Sequence, residues 1–331
     1  MTAERSRGRS PAQVADHNSR TILEALRRSG PMSRNDLTRL VGLTVPGITN
    51  ITRRLLADGL ILEDRRKSPN AQIPSAHYFL NPDGAFAIGA RHRDGGVEAI
   101  LIDLAGTIRA RVTEADLPGA IAALQKLAGQ NANIIGTGLA YDDSVAPADG
   151  MLSERTSVTA TLAETTLGQG APDASLALLL IEDRITAGLF FNRRPLTGVH
   201  GRAGRIGEML TGNDRRLLDE VASAASFRAG GQDRAAIARW TERAALHLFD
   251  AVFALTGFLA PDRIQIAGDL PAPVIDAIIA ELRRLNAGRE REPNALVLPM
   301  VAPATHGRDS VLLGAALLPL FARLLPSPLT S

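Results

Sequence analysis

The chain contains no cysteine, and this absence excludes several kinds of chemistry. Without thiols the chain can have no disulfide bond, no catalysis by a thiol nucleophile and no zinc site with cysteine ligands. Its six histidines are scattered and include no closely spaced pair of the kind that binds a metal ion. The sequence therefore predicts no metal site.

The chain also lacks a hydrophobic run long enough to cross a membrane. The longest run near the C-terminus, Val311–Leu320, is interrupted by Pro319 and followed by Arg323, whereas a membrane-spanning helix needs about 20 apolar residues. The arginines among the first ten residues precede no apolar segment, so we expect no secretory signal. These features predict a cytoplasmic protein with no membrane partner.

Positive charge is concentrated at the N-terminal end of the chain. Residues 1–80 contain 13 lysines and arginines against 7 acidic residues, a net charge of +6, whereas residues 81–331 carry −4. This distribution of charge is the one expected if residues 1–80 bind the phosphates of a nucleic acid and the rest of the chain does not. The full length of 331 residues is enough for two or three domains.

Residues 33–62 have the pattern of two amphipathic helices joined by a tight turn at Gly42. Ser33 is a good N-cap for the first helix and Thr44 for the second, and Gly42 suits the left-handed conformation that ends a helix. The pattern predicts a helix-turn-helix whose second helix, over 44–58, is the recognition helix. The positions predicted to be buried are Leu37, Leu40, Val41, Ile48, Ile51 and Leu55.

The outward face of that second helix is small, then polar, then basic, and the major groove of DNA accepts such a face. A helical hairpin whose charges are merely solvated is the alternative interpretation. The residues predicted to contact DNA from the two helices are Ser33, Arg34, Thr44, Gly47, Thr49, Asn50, Arg53 and Arg54.

The flanking segments predict the winged form of the motif. A helix over Ser19–Ser29 precedes it, and a short apolar run, Leu60–Leu62, a basic loop, Glu63–Pro74, and a strand, His77–Leu80, follow. A basic loop in this position is expected to lie over the minor groove or the phosphate backbone, although it is also compatible with a solvated turn. Its basic residues are Arg65, Arg66 and Lys67. Residues 1–18 lack periodicity and are predicted to form a disordered arm.

A turn cluster at Asn81–Gly84 marks the predicted domain boundary. Beyond it, strands and helices alternate in the manner of an α/β domain, and a glycine-spaced loop occupies residues 197–210. Residues 141–156 have no pattern strong enough for an assignment. The predicted strands are 86–90, 97–103, 107–112, 133–140, 176–181, 186–191, 263–267 and 295–301, and the predicted helices are 118–127, 157–167, 272–285 and 310–325.

The winged motif, the segment Ala87–Gly89 and the loop Gly198–Met209 occur in an order that resembles the ROK family of repressors and sugar kinases. The chain is most similar to the family's transcriptional-regulator branch, which includes xylose and N-acetylglucosamine repressors. Other segments that carry the resemblance are ILIDLAG at 100–106, LAPDRIQIAGDL at 259–270 and LLGAALL at 312–318. The resemblance implies a winged helix-turn-helix domain over 19–82 and an actin-like, two-lobed α/β body over 83–331. It also implies a homodimer or homotetramer that binds a pseudo-palindromic operator in double-stranded DNA.

The chain departs from the pattern of the family's kinases. Those enzymes use an Asn-Asp pair to deprotonate the sugar hydroxyl, and Arg155-Thr156 stands where the pair belongs. A threonine is no general base at neutral pH, and residues 91–96 do not resemble the family's phosphate loop. The family's cysteine-rich zinc stretch aligns with residues 212–220, which contain no cysteine. We therefore expect a regulator with no catalytic residue and no cofactor, and an active sugar kinase is a less favoured alternative.

The resemblance also implies a sugar-like effector bound between the lobes, beside the loop 197–210. The Glu and His that contact sugar in the family align with Arg205 and Glu208, and guanidinium groups bind carboxylates and phosphates in a bidentate way. This predicts an acidic or phosphorylated sugar-like effector of a repressor. The predicted effector-binding residues are His200, Arg202, Arg205 and Glu208. In the alternative interpretation the charges only pair with one another, and the body is a ligand-independent scaffold.

Overall fold

A computed structural model describes residues 11–66, 75–142, 150–168, 174–231, 233–289 and 296–329. The helices are α1 (Pro11–Ser29), α2 (Arg34–Val41), α3 (Val45–Ala57), α4 (Leu117–Ala128), α5 (Thr156–Thr166), α6 (Leu218–Ala222), α7 (Ala224–Ala229), α8 (Arg234–Leu259), α9 (Ala272–Arg289) and α10 (Ser310–Arg323). The strands are β1 (Met32–Ser33), β2 (Ile61–Arg66), β3 (Ser75–Leu80), β4 (Phe86–Arg93), β5 (Gly96–Asp103), β6 (Ile108–Glu114), β7 (Ile134–Tyr141), β8 (Leu152–Arg155), β9 (Leu176–Ile181), β10 (Ile185–Phe191), β11 (Arg194–Pro195), β12 (Leu210–Thr211), β13 (Arg216–Leu217), β14 (Arg263–Gly268) and β15 (Met300–Pro303). The chain divides into two compact units, residues 1–138 with 316–330, and residues 139–315.

The first unit opens with a winged helix-turn-helix, which we call the head. It contains helices α1, α2 and α3 and a three-stranded antiparallel sheet in the order β1-β3-β2, in which β1 lies between α1 and α2 in sequence. Its core contains Ile22, Leu37 and Ile48, all fully buried. The predicted helix-turn-helix is thus confirmed, and its second helix, α3, spans nearly the predicted residues 44–58. The role of α3 in recognition stays a prediction.

Three predictions about the head were wrong in detail. Helix α1 begins at Pro11, so the described residues 11–18 are helical rather than a disordered arm, and residues 1–10 lie outside the described part of the chain. Strand β2 extends to Arg66, because β3 pairs with it over its whole length, so Arg65 and Arg66 belong to a strand and not to a loop. Leu40, predicted to be buried, is 47% exposed.

A short 3₁₀ turn, Pro82–Gly84, joins the head to β4, the first strand of the next sheet. The Asn81 side chain donates to the carbonyl oxygen of Gly59 in the head at 2.7 Å. On the other side of the turn, the Arg109 guanidinium bridges Asp103, with Nε–Oδ2 at 2.7 Å, and Asp83, with Nη2–Oδ1 at 2.8 Å. These bonds fix the connection between the head and the sheet that follows it.

That sheet has the strand order β6-β5-β4-β7-β8, in which β4 pairs antiparallel with β5 and β5 pairs antiparallel with β6. Strand β7 corresponds to the strand predicted at 133–140. Strand β8 lies in the segment 141–156 that the sequence pattern left unassigned, of which residues 143–149 lie outside the described part of the chain. The helix predicted at 118–127 corresponds to α4, whose N-cap Asp116 accepts a hydrogen bond from the backbone of Gly119 at 2.8 Å.

The second unit contains a five-stranded sheet in the order β11-β10-β9-β14-β15. Strand β9 forms an antiparallel hairpin with β10 and pairs in parallel with β14, which pairs in parallel with β15. Every residue of β9 is buried. Alternate residues of a strand face opposite sides of a sheet, and accordingly Leu179 packs in a cluster with α8 and α9, whereas Leu178 packs with α5 and α10. Helices thus cover both faces, which explains the continuous apolar run.

One predicted strand of this unit was misplaced. The strand expected over 295–301 is β15, Met300–Pro303, and residue 295 lies outside the described part of the chain. Among the described residues, no helix is long and apolar enough to cross a membrane.

Candidate nucleic-acid interface and effector loop

The recognition helix α3 turns one apolar face inward and leaves a polar face outside. Ile48 and Leu55 are almost fully buried, whereas Asn50 and Arg53 are exposed. A long hydrogen bond of 3.5 Å joins Arg53 Nη1 to Asn50 Oδ1, and the hydroxyl of the half-buried Thr49 donates to the Val45 carbonyl oxygen at 2.9 Å. The exposed part of α3 therefore presents an amide and a guanidinium one helical turn apart.

Gly47 belongs to the same polar face. An ideal Cβ at this position would lie 3.6–3.8 Å from the side chains of Thr44 and Leu43, which is ordinary van der Waals contact. The packing of the head therefore does not demand a glycine there. A missing side chain near the start of α3 leaves room for the helix to approach another molecule closely.

Two of the predicted DNA-contact arginines make contacts inside the head. Arg34 Nη2 donates to the hydroxyl of the buried Tyr78 at 3.0 Å, and this hydrogen bond raises the pKa of Arg34 above its ordinary value. Arg54 Nη2 donates to Ser19 Oγ of α1 at 2.7 Å. Arg54 is exposed, as expected of an outward residue, but its guanidinium is held against α1.

Ser33 and Asp36 form a reciprocal capping box at the start of α2. Asp36 N donates to Ser33 Oγ at 3.2 Å, and Ser33 N donates to Asp36 Oδ2 at 3.0 Å. The Ser33 hydroxyl also donates to Asp36 Oδ2 at 2.6 Å, and these bonds hold the pKa of Asp36 below its ordinary value. Thr44 is the N-cap residue of α3, but its side chain makes no capping hydrogen bond.

The wing consists of β2, β3 and the residues between them. Arg65 pairs with Ala76 and Arg66 with Ser75 in the antiparallel ladder. Lys67 lies outside the described residues. The backbone of both arginines is thus paired at the last described residues of β2, and their contact with DNA stays a prediction.

The loop 197–210, which we call the glycine loop, contains two 3₁₀ turns, Val199–Gly201 and Ile206–Glu208. At Gly204, whose φ is +84°, a Cβ would lie 1.9 Å from the carbonyl oxygen of Ala187 in β10. At Gly207 it would lie 2.1 Å from Asp219 Oδ1 in α6. These two glycines let the loop pack closely against β10 and α6 of its own unit.

Two of the predicted effector-binding residues of the glycine loop pair with each other. Arg205 Nε donates to Glu208 Oε1 at 3.0 Å, and Arg205 Nη2 contacts the same oxygen. Both side chains are substantially exposed, at 40% and 52%. His200 and Arg202 are exposed near the first turn, where His200 adopts a φ of +55°, uncommon for a residue with a side chain. Effector binding by these four residues stays a prediction.

Arg155 lies against the glycine loop, a contact that the sequence did not indicate. Its Nε is 2.8 Å from the ideal Cβ position of Gly201, and its guanidinium carbon lies 5.8 Å from the ring centroid of Tyr141. The neighbouring Glu154 is half-buried, and burial raises the pKa of its carboxyl group. Arg155 falls in the segment without an assignable pattern, and only the resemblance to the family's kinases, in which an Asn-Asp pair stands at this place, distinguished it in the sequence.

The hairpin of β12 and β13 occupies the start of the segment that aligns with the family's zinc stretch. Thr211 Oγ1 lies 2.9 Å from Nδ1 of the buried His247 in α8, and Gly212 N donates to Asp250 Oδ2 at 2.8 Å. Hydrogen bonds to α8 thus hold this hairpin. Within the part of the chain that the structure describes, no cluster of His, Asp or Glu could hold a metal ion.

Comparison with known proteins gives a family model and relatives of similar length. Residues 16–61 match the model of winged helix-turn-helix DNA-binding domains. A protein of Sinorhizobium fredii called uncharacterized protein y4fQ is 23% identical over 357 residues, covering 92% of this chain and 91% of the relative.

Solved structures extend the likeness to the whole fold. A ROK family transcriptional regulator, described as a homologue of the E. coli MLC protein, superposes with a TM-score of 0.67 at 18% identity, covering 92% of this chain and 96% of the other. This chain has the ROK fold with a winged head.

Two further ROK structures match about seven-tenths of this chain. A glucokinase from Streptomyces griseus in complex with glucose and AMPPNP has a TM-score of 0.54 at 17% identity, covering 70% of this chain and 98% of the other. A family member from Streptococcus pneumoniae in complex with sucrose has a TM-score of 0.55 at 15% identity, covering 72% of this chain and 98% of the other. At such identities the likeness establishes the fold.

Proposed function

We propose that this protein is a DNA-binding transcriptional regulator that acts as a repressor. The observation that carries the proposal is the winged head, with the exposed amide and guanidinium of Asn50 and Arg53 on α3. Asparagine can read adenine in a bidentate way, and arginine reads guanine or binds phosphate. The match of residues 16–61 to winged DNA-binding domains supports the same function.

Selection of duplexes from a random-sequence library by the full-length protein tests this proposal. We expect one sequence to be enriched, and we expect that sequence to mark the sites occupied in the cell. The double variant Asn50→Ala/Arg53→Ala should enrich nothing, whereas Asn213→Ala, an exposed asparagine of the second unit, should behave as the unmodified protein. Enrichment of no sequence by the unmodified protein would contradict a sequence-specific regulator. Sites upstream of genes that are transcribed more strongly in its absence would identify it as a repressor.

We further propose that the body binds a sugar-like effector at the glycine loop. The ROK fold supports this, since solved proteins with that body hold glucose or sucrose. Because Glu208 already occupies the Arg205 guanidinium, an acidic ligand would have to displace a carboxylate of the protein. An exposed ion pair of this kind is weak, so the preference for an acidic or phosphorylated sugar over a neutral one stays a prediction.

Thermal unfolding in the presence of glucose, gluconate or glucose 6-phosphate tests the effector site. We expect at least one to raise the Tm of the unmodified protein and to raise it less in Arg205→Ala. Arg228→Ala breaks a comparable exposed pair, with Asp183, and should leave the ligand-induced shift unchanged. No shift with any of the three would contradict the effector site and favour a ligand-independent scaffold, and would leave the DNA-binding proposal intact.

We also propose that the body is catalytically inactive. Arg155 and Thr156 occupy the end of β8 and the start of α5, where the resemblance places the kinases' base, and neither side chain can accept a proton from a sugar hydroxyl at neutral pH. A coupled assay should detect no hexose-dependent ATP turnover. Turnover that persists through purification would instead identify an active kinase.

A further inference from the structure

Arg20, in the middle of α1, fastens the head to the end of α10 within the first unit. Its Nη1 donates to the carbonyl oxygen of Phe321 at 2.8 Å and, more weakly, to that of Leu325 at 3.4 Å. Its Nη2 donates to the carbonyl oxygen of Ala322 at 3.1 Å. The remaining edge of the guanidinium is held by Asp16, with Nε–Oδ2 at 2.9 Å. One side chain thus joins two helices about 300 positions apart in sequence.

The acceptors of Arg20 are the carbonyls that a helix end leaves without partners. The last four carbonyls of a helix have no intrahelical donor, and α10 ends at Arg323. The backbone N–H groups of Leu324 and Leu325 both donate to the carbonyl oxygen of Leu320. The carbonyl oxygens of Phe321 and Ala322 accept hydrogen bonds from Arg20 instead. A guanidinium at a helix C-terminus also meets the negative end of the helix dipole. The planar fork of arginine suits several acceptors better than the ammonium of lysine.

The neighbouring residue connects α1 to the recognition helix. Ser19 is buried, and its hydroxyl oxygen accepts the 2.7 Å hydrogen bond from Arg54 of α3. Ser19 and Arg20 are adjacent residues of α1, a continuous helix whose residues Ile22, Leu23 and Leu26 are almost completely buried. The end of α10, α1 and α3 are therefore joined by successive direct contacts.

We propose that Arg20 is a positioning residue for the recognition helix, which it holds relative to α10 through α1 without touching DNA. Arg28 of the same helix provides a control, because its ion pair with Glu24, at 3.9 Å, lies within α1. Both arginines carry the same charge at the same end of the chain. Arg20→Ala removes the hydrogen bonds to the end of α10 and the pair with Asp16, whereas Arg28→Ala removes the same charge and its ion pair with Glu24.

Hydrogen exchange of the full-length protein without DNA tests the attachment independently of the proposed function. Arg20→Ala should raise exchange several-fold both in α1 and α3 and at the last turn of α10, because removal of a tether opens both of its ends. Arg28→Ala should leave the last turn of α10 unchanged, and Arg20→Lys should restore part of the protection. Unchanged exchange at the end of α10 in Arg20→Ala would overturn the proposal.

Binding to a duplex selected by the unmodified protein then separates positioning from phosphate binding. Removing one bond to a DNA phosphate lowers the slope of log K against log salt by about 0.9. Arg20→Ala should weaken binding several-fold with an unchanged slope, with partial recovery in Arg20→Lys. A reduced slope, or binding as tight as that of the unmodified protein, would overturn the positioning role.

Discussion

The two N-caps of the helix-turn-helix differ at the scale of single residues, and the difference predicts unequal contributions to stability. Ser33 exchanges hydrogen bonds with Asp36, whereas the Thr44 side chain makes no capping bond. Removal of an N-cap hydrogen bond costs about 0.5–2 kcal/mol. In urea unfolding, Ser33→Ala should lower the free energy of unfolding by about 1 kcal/mol, and Thr44→Ala should have a much smaller effect. Equal decreases would show that the capping box does not determine the stability of α2.

The same capping box predicts a pH dependence. The bonds donated by Ser33 lower the pKa of Asp36 in the folded protein, so folding favours the ionised carboxylate. The resulting stabilisation is complete above the pKa of the unfolded chain, about 3.9 for Asp, and is lost as the pH falls through the lower folded value. The stability difference between the unmodified protein and Ser33→Ala should therefore shrink below about pH 4. A difference that stays constant down to acid unfolding would contradict this linkage.

Asn50 is the residue on which we expect sequence recognition to depend most. It is exposed on α3, and its only described hydrogen bond is the long one to Arg53, so its amide can turn to a base edge at little cost. Asn50→Ala should lose roughly 1–3 kcal/mol on the selected duplex and little on random DNA. Fluorescence anisotropy with both duplexes measures this, with Asn213→Ala as control. Equal weakening on both duplexes would show that Asn50 does not read sequence.

At the scale of elements, the wing is predicted to add affinity without specificity. Changing Arg65, Arg66 and Lys67 together to alanine should reduce the slope of log K against log salt by about 0.9 for each DNA phosphate that the variant no longer binds. A control removes three exposed arginines of the second unit: Arg193, Arg194 and Arg239. If both triple variants alter the slope equally, net charge rather than the wing is responsible, and an unchanged slope in the wing variant would identify a solvated turn.

Sequence alone predicted those elements whose signals are local. Strand β9 begins and ends where its apolar run does, and α2 and α3 follow their caps. The first turns of α1 carry no apolar periodicity, and one of their side chains, Asp16, is held by the same Arg20 that reaches α10. Contacts across such sequence distances leave no trace in local periodicity.

The candidate sites show the same limit. Periodicity correctly placed Asn50 and Arg53 outside, but it could not indicate that Arg54 meets Ser19 or that Arg34 meets Tyr78, since those partners lie 35 and 44 positions away. In the glycine loop, spacing alone does not distinguish a backbone that approaches a ligand from one that packs against β10 and α6. Only the folded structure shows that Gly204 lies close to β10 and Gly207 close to α6.

The whole molecule is expected to bind DNA as a twofold-symmetric homodimer or a tetramer of such dimers, and this expectation constrains the operator. Each head presents one recognition helix, and such a helix reads only a few base pairs of one major groove. Two heads related by a twofold axis must face two grooves on one side of the duplex, so half-sites should be inverted and separated by about one helical turn of 10–10.5 base pairs, or a multiple. Footprinting of the selected duplex should show two protected, symmetry-related segments. Inserting about half a helical turn between them would place the heads on opposite sides and should abolish cooperative protection, whereas inserting a full turn should restore part of it. A single asymmetric footprint that is insensitive to these insertions would show that one head suffices for recognition.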